Sequence, residues 1–190
     1  MITCKGNKVI LREATRADID TLYYWKFEEK EQLSKQWNGP YIPETFLTKE
    51  AYHEMWASSI DPFLHLPDAL VIDVDGVVIG TVAFYWVDKH TNWLETGIVI
   101  YDSTYWHGGY GSEAFQLWID FLFEASNIHR LGISTWSGNN RMIRVAEKVG
   151  MIEEARIRDA REVNKIYYDA IKMGILRREW DHNQTSFPGK

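Results

Sequence analysis

At 190 residues, with 45% apolar and 25% charged side chains, the chain suits one globular domain with a sizeable core. A net charge of −6 disfavours a nucleic-acid partner, which would select a basic surface, and suits a cationic small molecule. Cys4 is the single cysteine, so neither an internal disulfide nor a cysteine-based zinc site can form, and no metal is expected. The polar start Met1–Lys8 lacks a signal-peptide core. The apolar stretch Ala69–Val87 is broken by Asp73, Asp75 and Gly76 and cannot span a membrane. A reducing cytoplasm is the expected compartment.

Val9–Arg12 reads as a short strand. Thr15 can cap a helix, with Asp18 three residues on as a short-armed capping box and Ile19, Leu22, Tyr23 and Phe27 as its apolar face. Asn38-Gly39-Pro40 and Pro43 mark a loop. Thr48 caps a second helix with Tyr52, Met55, Trp56 and Ile60 on one side. Ala69–Val74 and Val77–Val87 form a hairpin through Asp75-Gly76. A turn at His90-Thr91-Asn92 leads to a third meander strand, Trp93–Tyr101.

Tyr105-Trp106-His107-Gly108-Gly109-Tyr110-Gly111-Ser112 follows directly and opens the cleanest helix of the chain. That helix carries Ala114, Leu117, Trp118, Phe121, Leu122 and Ala125 on one face. Glycines at a helix mouth leave the first N–H groups uncovered, and the helix dipole adds positive charge, so the site favours an anion such as phosphate. The chain has neither the Gly-x-x-x-x-Gly-Lys-Ser/Thr loop nor an early Gly-x-Gly-x-x-Gly, which excludes the common nucleotide-binding alternatives. Leu131–Trp136 is a further strand. Asn139 caps a short helix with Met142, Val145, Ala146 and Val149 inward, and Gly150 ends it. Two more strands, Ile152–Arg161 and Lys165–Arg177, precede a polar tail from Asp181 to Lys190 that is expected to be loose.

This order, together with Glu95-Thr96-Gly97, Tyr105–Gly111, Asn139–Met142, Glu147–Met151 and Arg177–Trp180, resembles the GNAT superfamily of acetyl-CoA-dependent N-acetyltransferases. The resemblance runs from about Lys8 to Trp180 and is nearest the branch that acetylates ribosomal-protein N-termini. It implies an α/β fold with a mixed, mostly antiparallel sheet, helices on both faces, and a split between the fourth and fifth strands predicted above. It implies one N-acetyltransferase domain over residues 1–180, with 181–190 as a tail. A homodimer is admitted as the assembly, with no residue that decides it.

The resemblance also assigns roles. The pyrophosphate of acetyl-CoA is expected over Trp106, His107, Gly108, Gly109, Tyr110, Gly111 and Ser112. Trp106 stands where many relatives carry Gln or Arg, and His107 where a glycine is common; His107 reads as an exposed loop residue. The N–H of Val99 is expected to polarise the thioester carbonyl, with Tyr101 bonding the pantetheine arm. Asn139 reads equally as a contact to that arm and as a plain helix cap. Glu95 is expected to take the proton of the acceptor amine, because an ammonium with a pKa near ~10 cannot attack. The tyrosine that many relatives place seven residues after the asparagine is Ala146, and the branch's serine is Met142, so no residue is assigned to protonate the thiol. Trp37, Asn38, Tyr41, Tyr167 and Tyr168 are expected to line the acceptor site. The acceptor is a protein N-terminus or a small amine. A catalytically silent acetyl-CoA-binding module is the competing reading, and neither nucleic acid nor membrane is an expected partner.

Overall fold

A computed structural model describes residues 2–185. Strands β1 (Thr3–Lys5) and β2 (Ile10–Arg12) lead into helix α1 (Arg16–Tyr23), and a loop leads to α2 (Lys49–Ala57). The meander β3 (Ala69–Val74), β4 (Val77–Asp88) and β5 (Trp93–Ile100) follows. Then come α3 (Tyr110–Ala125), β6 (Arg130–Trp136), α4 (Asn140–Lys148), β7 (Ile152–Val163), β8 (Ile166–Leu176) and α5 (Arg177–Thr185). The eight strands form one sheet in the order β1-β2-β3-β4-β5-β6-β8-β7. Only β5 and β6 pair in parallel.

Local chemistry explains the elements. Thr15 accepts from the Asp18 N–H while the Asp18 carboxylate accepts from the Thr15 N–H, a complete capping box. Asp75 and Gly76 both take positive φ, 52° and 83°, the geometry that turns a two-residue hairpin. Gly150, at φ 87°, ends α4. There its N–H bonds Glu147 and the Met151 N–H bonds Ala146, a Schellman closure. Arg177 donates to the carbonyls of Phe123, Ser126 and Ile128, and Trp180 stacks on Phe123 at 5.2 Å. The closing Arg-x-x-Trp therefore fastens the C-terminal end of α3.

The two faces of the sheet carry different cores. Ile19, Leu22, Tyr23 and Tyr52 from α1 and α2 pack on Val71 and Val78. On the other face, α3 and α4 bury Ala114, Phe115, Trp118, Ile119, Leu122, Phe123 and Ala146 against the sheet.

Several expectations are corrected. Ala125 is exposed, and Phe115, Ile119 and Phe123 are buried in its place, because α3 is covered along its flank as well as beneath. Met55 and Ile60 are exposed, and Ile60 lies beyond α2 in a bridge to Pro67. The polar stretch expected from Asp181 begins inside α5, which runs to Thr185; residues 186–190 lie outside the described ones.

Candidate active site

Strands β5 and β6 share only three register pairs, Trp93 with Arg130, Leu94 with Leu131 and Glu95 with Gly132. Beyond Glu95, β5 stays with β4 and β6 stays with β8. The sheet opens there into a cleft whose vertex is Glu95.

Glu95 is almost fully buried. Its Oε2 accepts from the Tyr85 hydroxyl and its Oε1 meets the ammonium of Lys172 on β8. Burial first, and then the bond to Glu95, push the Tyr85 phenol well above its ordinary value, so it remains a donor. The Lys172 side chain is 41% exposed against 3% for Glu95. Access from solvent to the carboxylate therefore runs past that ammonium. Gly132 lies opposite: a Cβ there would be in ordinary contact with the Glu95 side chain at 3.7 Å but would press on the Met173 carbonyl of β8 at 3.0 Å.

Glu95 and Val99 share a sheet face, as their spacing predicts, but the Val99 N–H does not face the cleft. The Tyr101 N–H bonds Ile79 on β4 at 2.9 Å, and the Val99 carbonyl lies against Gly80 of β4. Backbone groups of a strand alternate sides, so odd residues from Glu95 to Tyr101 bond β4 and even ones face the open edge. The Ile100 carbonyl confirms the parity by accepting from the Trp106 indole across that edge at 3.0 Å. Thr96, the first even residue past Glu95, lies against Gly132, whose carbonyl accepts from its hydroxyl at 3.0 Å, so Ile98 is the next residue to turn its N–H to that edge, where the cleft has opened. This corrects Val99 as the expected donor and removes the Tyr101 N–H from the pantetheine wall. The Tyr101 ring packs toward α1 and α2, where burial first and then Tyr52 raise its phenol.

The glycine loop stands at the far end of β5. His107 and Gly109 take φ 66° and 85°, and Gly109 caps α3 without a side-chain bond. Among the described residues no protein group accepts from the N–H groups of Tyr110, Gly111 and Ser112, which open the helix. Gly111 lies close to Ile100, 3.3 Å from a Cβ position, and Tyr110 packs edge-on against Tyr105. Three cations surround the loop. Lys8 Nζ donates to the Gly108 carbonyl at 2.8 Å, Lys148 Nζ reaches Ser112 Oγ at 3.3 Å, and the Arg141 guanidinium lies over the Trp106 ring at 4.3 Å and the Trp37 ring at 4.5 Å. Arg141 Nη2 also lies 3.3 Å from His107 Nε2. Among the described residues none of the three pairs with a carboxylate. Uncovered N–H groups ringed by unpaired cations suit a phosphate-bearing ligand.

Asn139 performs the cap, accepting from the Met142 N–H at 3.1 Å, and its Nδ2 donates to the Trp37 carbonyl at 2.9 Å. Trp136 Nε1 donates to the same carbonyl at 3.1 Å. Trp37 thus docks its loop beside α4, nearer the glycine loop than expected. Tyr41 lies under Arg161, 4.7 Å from ring to guanidinium, and close enough to Tyr85 to raise it further. Tyr168 meets Trp136 edge-on at 4.7 Å. Tyr41, Tyr85, Trp136 and Tyr168 wall one side of the cleft together with Glu95 and Lys172. Tyr167 alternates to the opposite face of β8 and is exposed, and Asn38 is exposed in its loop, so neither is placed on this wall. Ala146 is buried in the α3 core. Sequence reasoning missed Tyr85, Arg141, Arg161 and Lys172. Only the register of Tyr85 opposite Glu95 in the hairpin was recoverable from spacing.

A sequence model of the acetyltransferase (GNAT) domain matches residues 8–152. The Bacillus subtilis protein YdaF, named as a proposed ribosomal N-acetyltransferase, is 25% identical over 186 residues, covering 95% of this chain and 98% of its own. The ribosomal-protein-S5-alanine acetyltransferase of Vibrio fischeri superposes with a TM-score of 0.76 at 19% identity, covering 95% of this chain and 99% of that one. The spermidine N-acetyltransferase of Vibrio cholerae, solved with CoA and spermine, superposes with a TM-score of 0.73 at 17% identity, covering 92% and 99%.

Proposed function

The chain belongs to the GNAT acetyltransferase family, and from that premise we propose that it moves an acetyl group from acetyl-CoA to a primary amine held at Glu95. The observation that carries this reading is one strand. β5 has the buried Glu95 where the sheet opens and ends at a glycine loop with uncovered N–H groups. Acetyl-CoA supplies the activated acetyl thioester. The residues present suit it: Tyr110, Gly111 and Ser112 offer N–H groups to its phosphates, and Lys8, Arg141 and Lys148 offer charge.

Glu95 attracts the acceptor ammonium and takes its proton as the amine becomes a nucleophile. Tyr85 holds the carboxylate in place by donating to Oε2. The Ile98 N–H, fixed by the strand, is the donor for the carbonyl oxygen that gains charge, a device worth a few kcal/mol. Transfer is direct. Burial first, then Glu124, raise the Cys4 thiol, which leaves it a poor nucleophile.

A protein N-terminus is the favoured acceptor. An α-amine, with a pKa near ~7.8, gives up its proton more readily than an alkylamine near ~10.4, an advantage of about 3.5 kcal/mol for the base.

The test is an amine panel of peptides, polyamines, amino acids and aminoglycosides, scored by release of free CoA thiol. Turnover of a peptide well above acetyl-CoA hydrolysis is expected. No turnover across the panel, with tight acetyl-CoA binding retained, would instead identify a silent acetyl-CoA-binding module.

A further inference from the structure

The primary amine nearest the base of the cleft belongs to the chain itself. Lys172 Nζ donates to Glu95 Oε1, the position the transfer reaction gives to the acceptor. Other lysines are held elsewhere: Lys8 and Lys148 at the glycine loop, Lys26 and Lys35 on Glu44, and Lys49 on Asp20. Lys172 pairs in register with Ser134, two residues past Gly132 on β6. The last pair of β5 with β6 is Glu95 with Gly132, so Lys172 projects where those strands have already parted. Ser134 is exposed and the Lys172 side chain is 41% exposed, which sets the ammonium on the open side of the buried carboxylate. The Ile98 N–H borders the same opening from β5.

Resting on the amine-transfer reading, we propose that Lys172 is a self-modification site, acetylated on Nζ by the acetyl-CoA bound to the same chain. An alkylammonium, with a pKa near ~10.4, must lose a proton before it can attack. Glu95 Oε1, already hydrogen-bonded to Nζ, takes that proton. The free amine then attacks the thioester carbonyl carbon. The N–C bond forms, the C–S bond breaks, and the thiolate leaves with the electron pair. The second proton on nitrogen goes to the thiolate, giving the amide and CoA thiol, and Glu95 returns its proton to solvent. Tethering offsets the reluctance of an alkylamine, because the amine is positioned without the entropy cost of binding. The amide carries no charge, so Glu95 keeps its bond from Tyr85 and loses its ion pair, leaving its charge uncompensated in the cleft.

The test is incubation of the purified protein with acetyl-CoA and no added amine, read by mass spectrometry. Trypsin does not cut after an acetylated lysine, so Ile166 to Arg177 should stay one peptide carrying one acetyl group. Lys49 and Lys148 give the background of uncatalysed acetylation. Lys172 is expected to react about 100-fold faster than that background, the usual reach of a positioned base. Its first-order rate constant should not change when the protein is diluted. In the urea-unfolded chain the three lysines should react alike. Glu95→Gln should return Lys172 to background, with CoA calorimetry confirming that the variant is folded. Lys172 reacting no faster than Lys49 and Lys148 in the parent would overturn the inference. So would a rate that falls in proportion to protein concentration, which means one copy acting on another, or a folded Glu95→Gln that acetylates Lys172 as fast as the parent. Turnover of an external amine with Lys172 unmodified would overturn this inference and leave the transfer reading standing. Acetylated Lys172 with no external amine turned over would support the inference while counting against an external acceptor.

Discussion

Glu95 lies opposite Gly132 in the last register pair that β5 and β6 share. The glycine is required less by Glu95 than by β8, on the other side of β6. A Cβ on Gly132 would press on the Met173 carbonyl at 3.0 Å before it reached Glu95 at 3.7 Å. Gly132→Ala should therefore force β6 and β8 apart. The expected result is a stability loss of about 1–3 kcal/mol, typical of overpacking, with a fall in kcat larger than any change in KM for acetyl-CoA. Thermal melts and steady-state rates check it; a variant as stable and as active as the parent would contradict it.

The parity of β5 gives a second expectation. In the free protein the Val99 amide should exchange slowly, being bonded to β4, while the Ile98 amide should exchange fast. CoA should slow Ile98 and leave Val99 unchanged. Hydrogen exchange by NMR reads both amides, and protection appearing at Val99 alone would reverse the assignment.

How far the sequence discloses the molecule follows from the range of the interactions involved. The Thr15 capping box, the Asp75-Gly76 turn and the Gly150 closure are local, and each is readable over three or four residues. Glu95 and the glycine loop are readable through the ordered motifs. The N–H direction at Val99 is not, because side-chain parity follows from spacing whereas backbone parity depends on which neighbour the strand bonds. Lys172 finds Glu95 from 77 residues away, and Arg141 meets Trp106 and Trp37 from separate elements, so neither leaves a local mark. Strand β1 is three residues on the sheet edge, too short for a period. Helix α5 is polar, and its place is set by Arg177 and Trp180 gripping α3.

Acid should weaken the fold through Asp18. Burial alone would raise its carboxyl; the Arg12 guanidinium, then the Thr15 N–H and hydroxyl, outweigh burial and hold it below the ordinary value. Because the folded value is depressed, its stabilisation is complete above the ordinary carboxylate range near ~3.9 and disappears as pH falls through the lower folded value. Asp61 acts with the same sign, its burial outweighed by Leu64, Trp86 and Phe63. Asp18→Asn should cost about 1 kcal/mol at neutral pH, as lost caps do. It should also flatten the fall of Tm between about pH 5 and 2. An unchanged acid dependence would contradict this.

Gly109→Glu should cut CoA affinity about 100-fold, since it sets bulk and negative charge beside the uncovered N–H groups. Gly76→Glu is the matched control: φ is 83° there against 85° at Gly109, and nothing lies within 4 Å of its Cβ position. Both variants pay a similar backbone cost of about 1 kcal/mol, but only the first should lose CoA in calorimetry. Equal affinities would remove the loop from the binding site.

The most direct test is the pH dependence of kcat/KM for an accepted peptide, compared between the parent and Glu95→Gln. The amide can still accept from Tyr85 but cannot take a proton. If Glu95 deprotonates the bound ammonium, the parent uses the charged acceptor and the variant uses only the free amine. The ratio of parent to variant should then widen about tenfold for each pH unit below the α-amine pKa near ~7.8. Parallel profiles with a constant ratio between pH 6 and 8 would contradict the account.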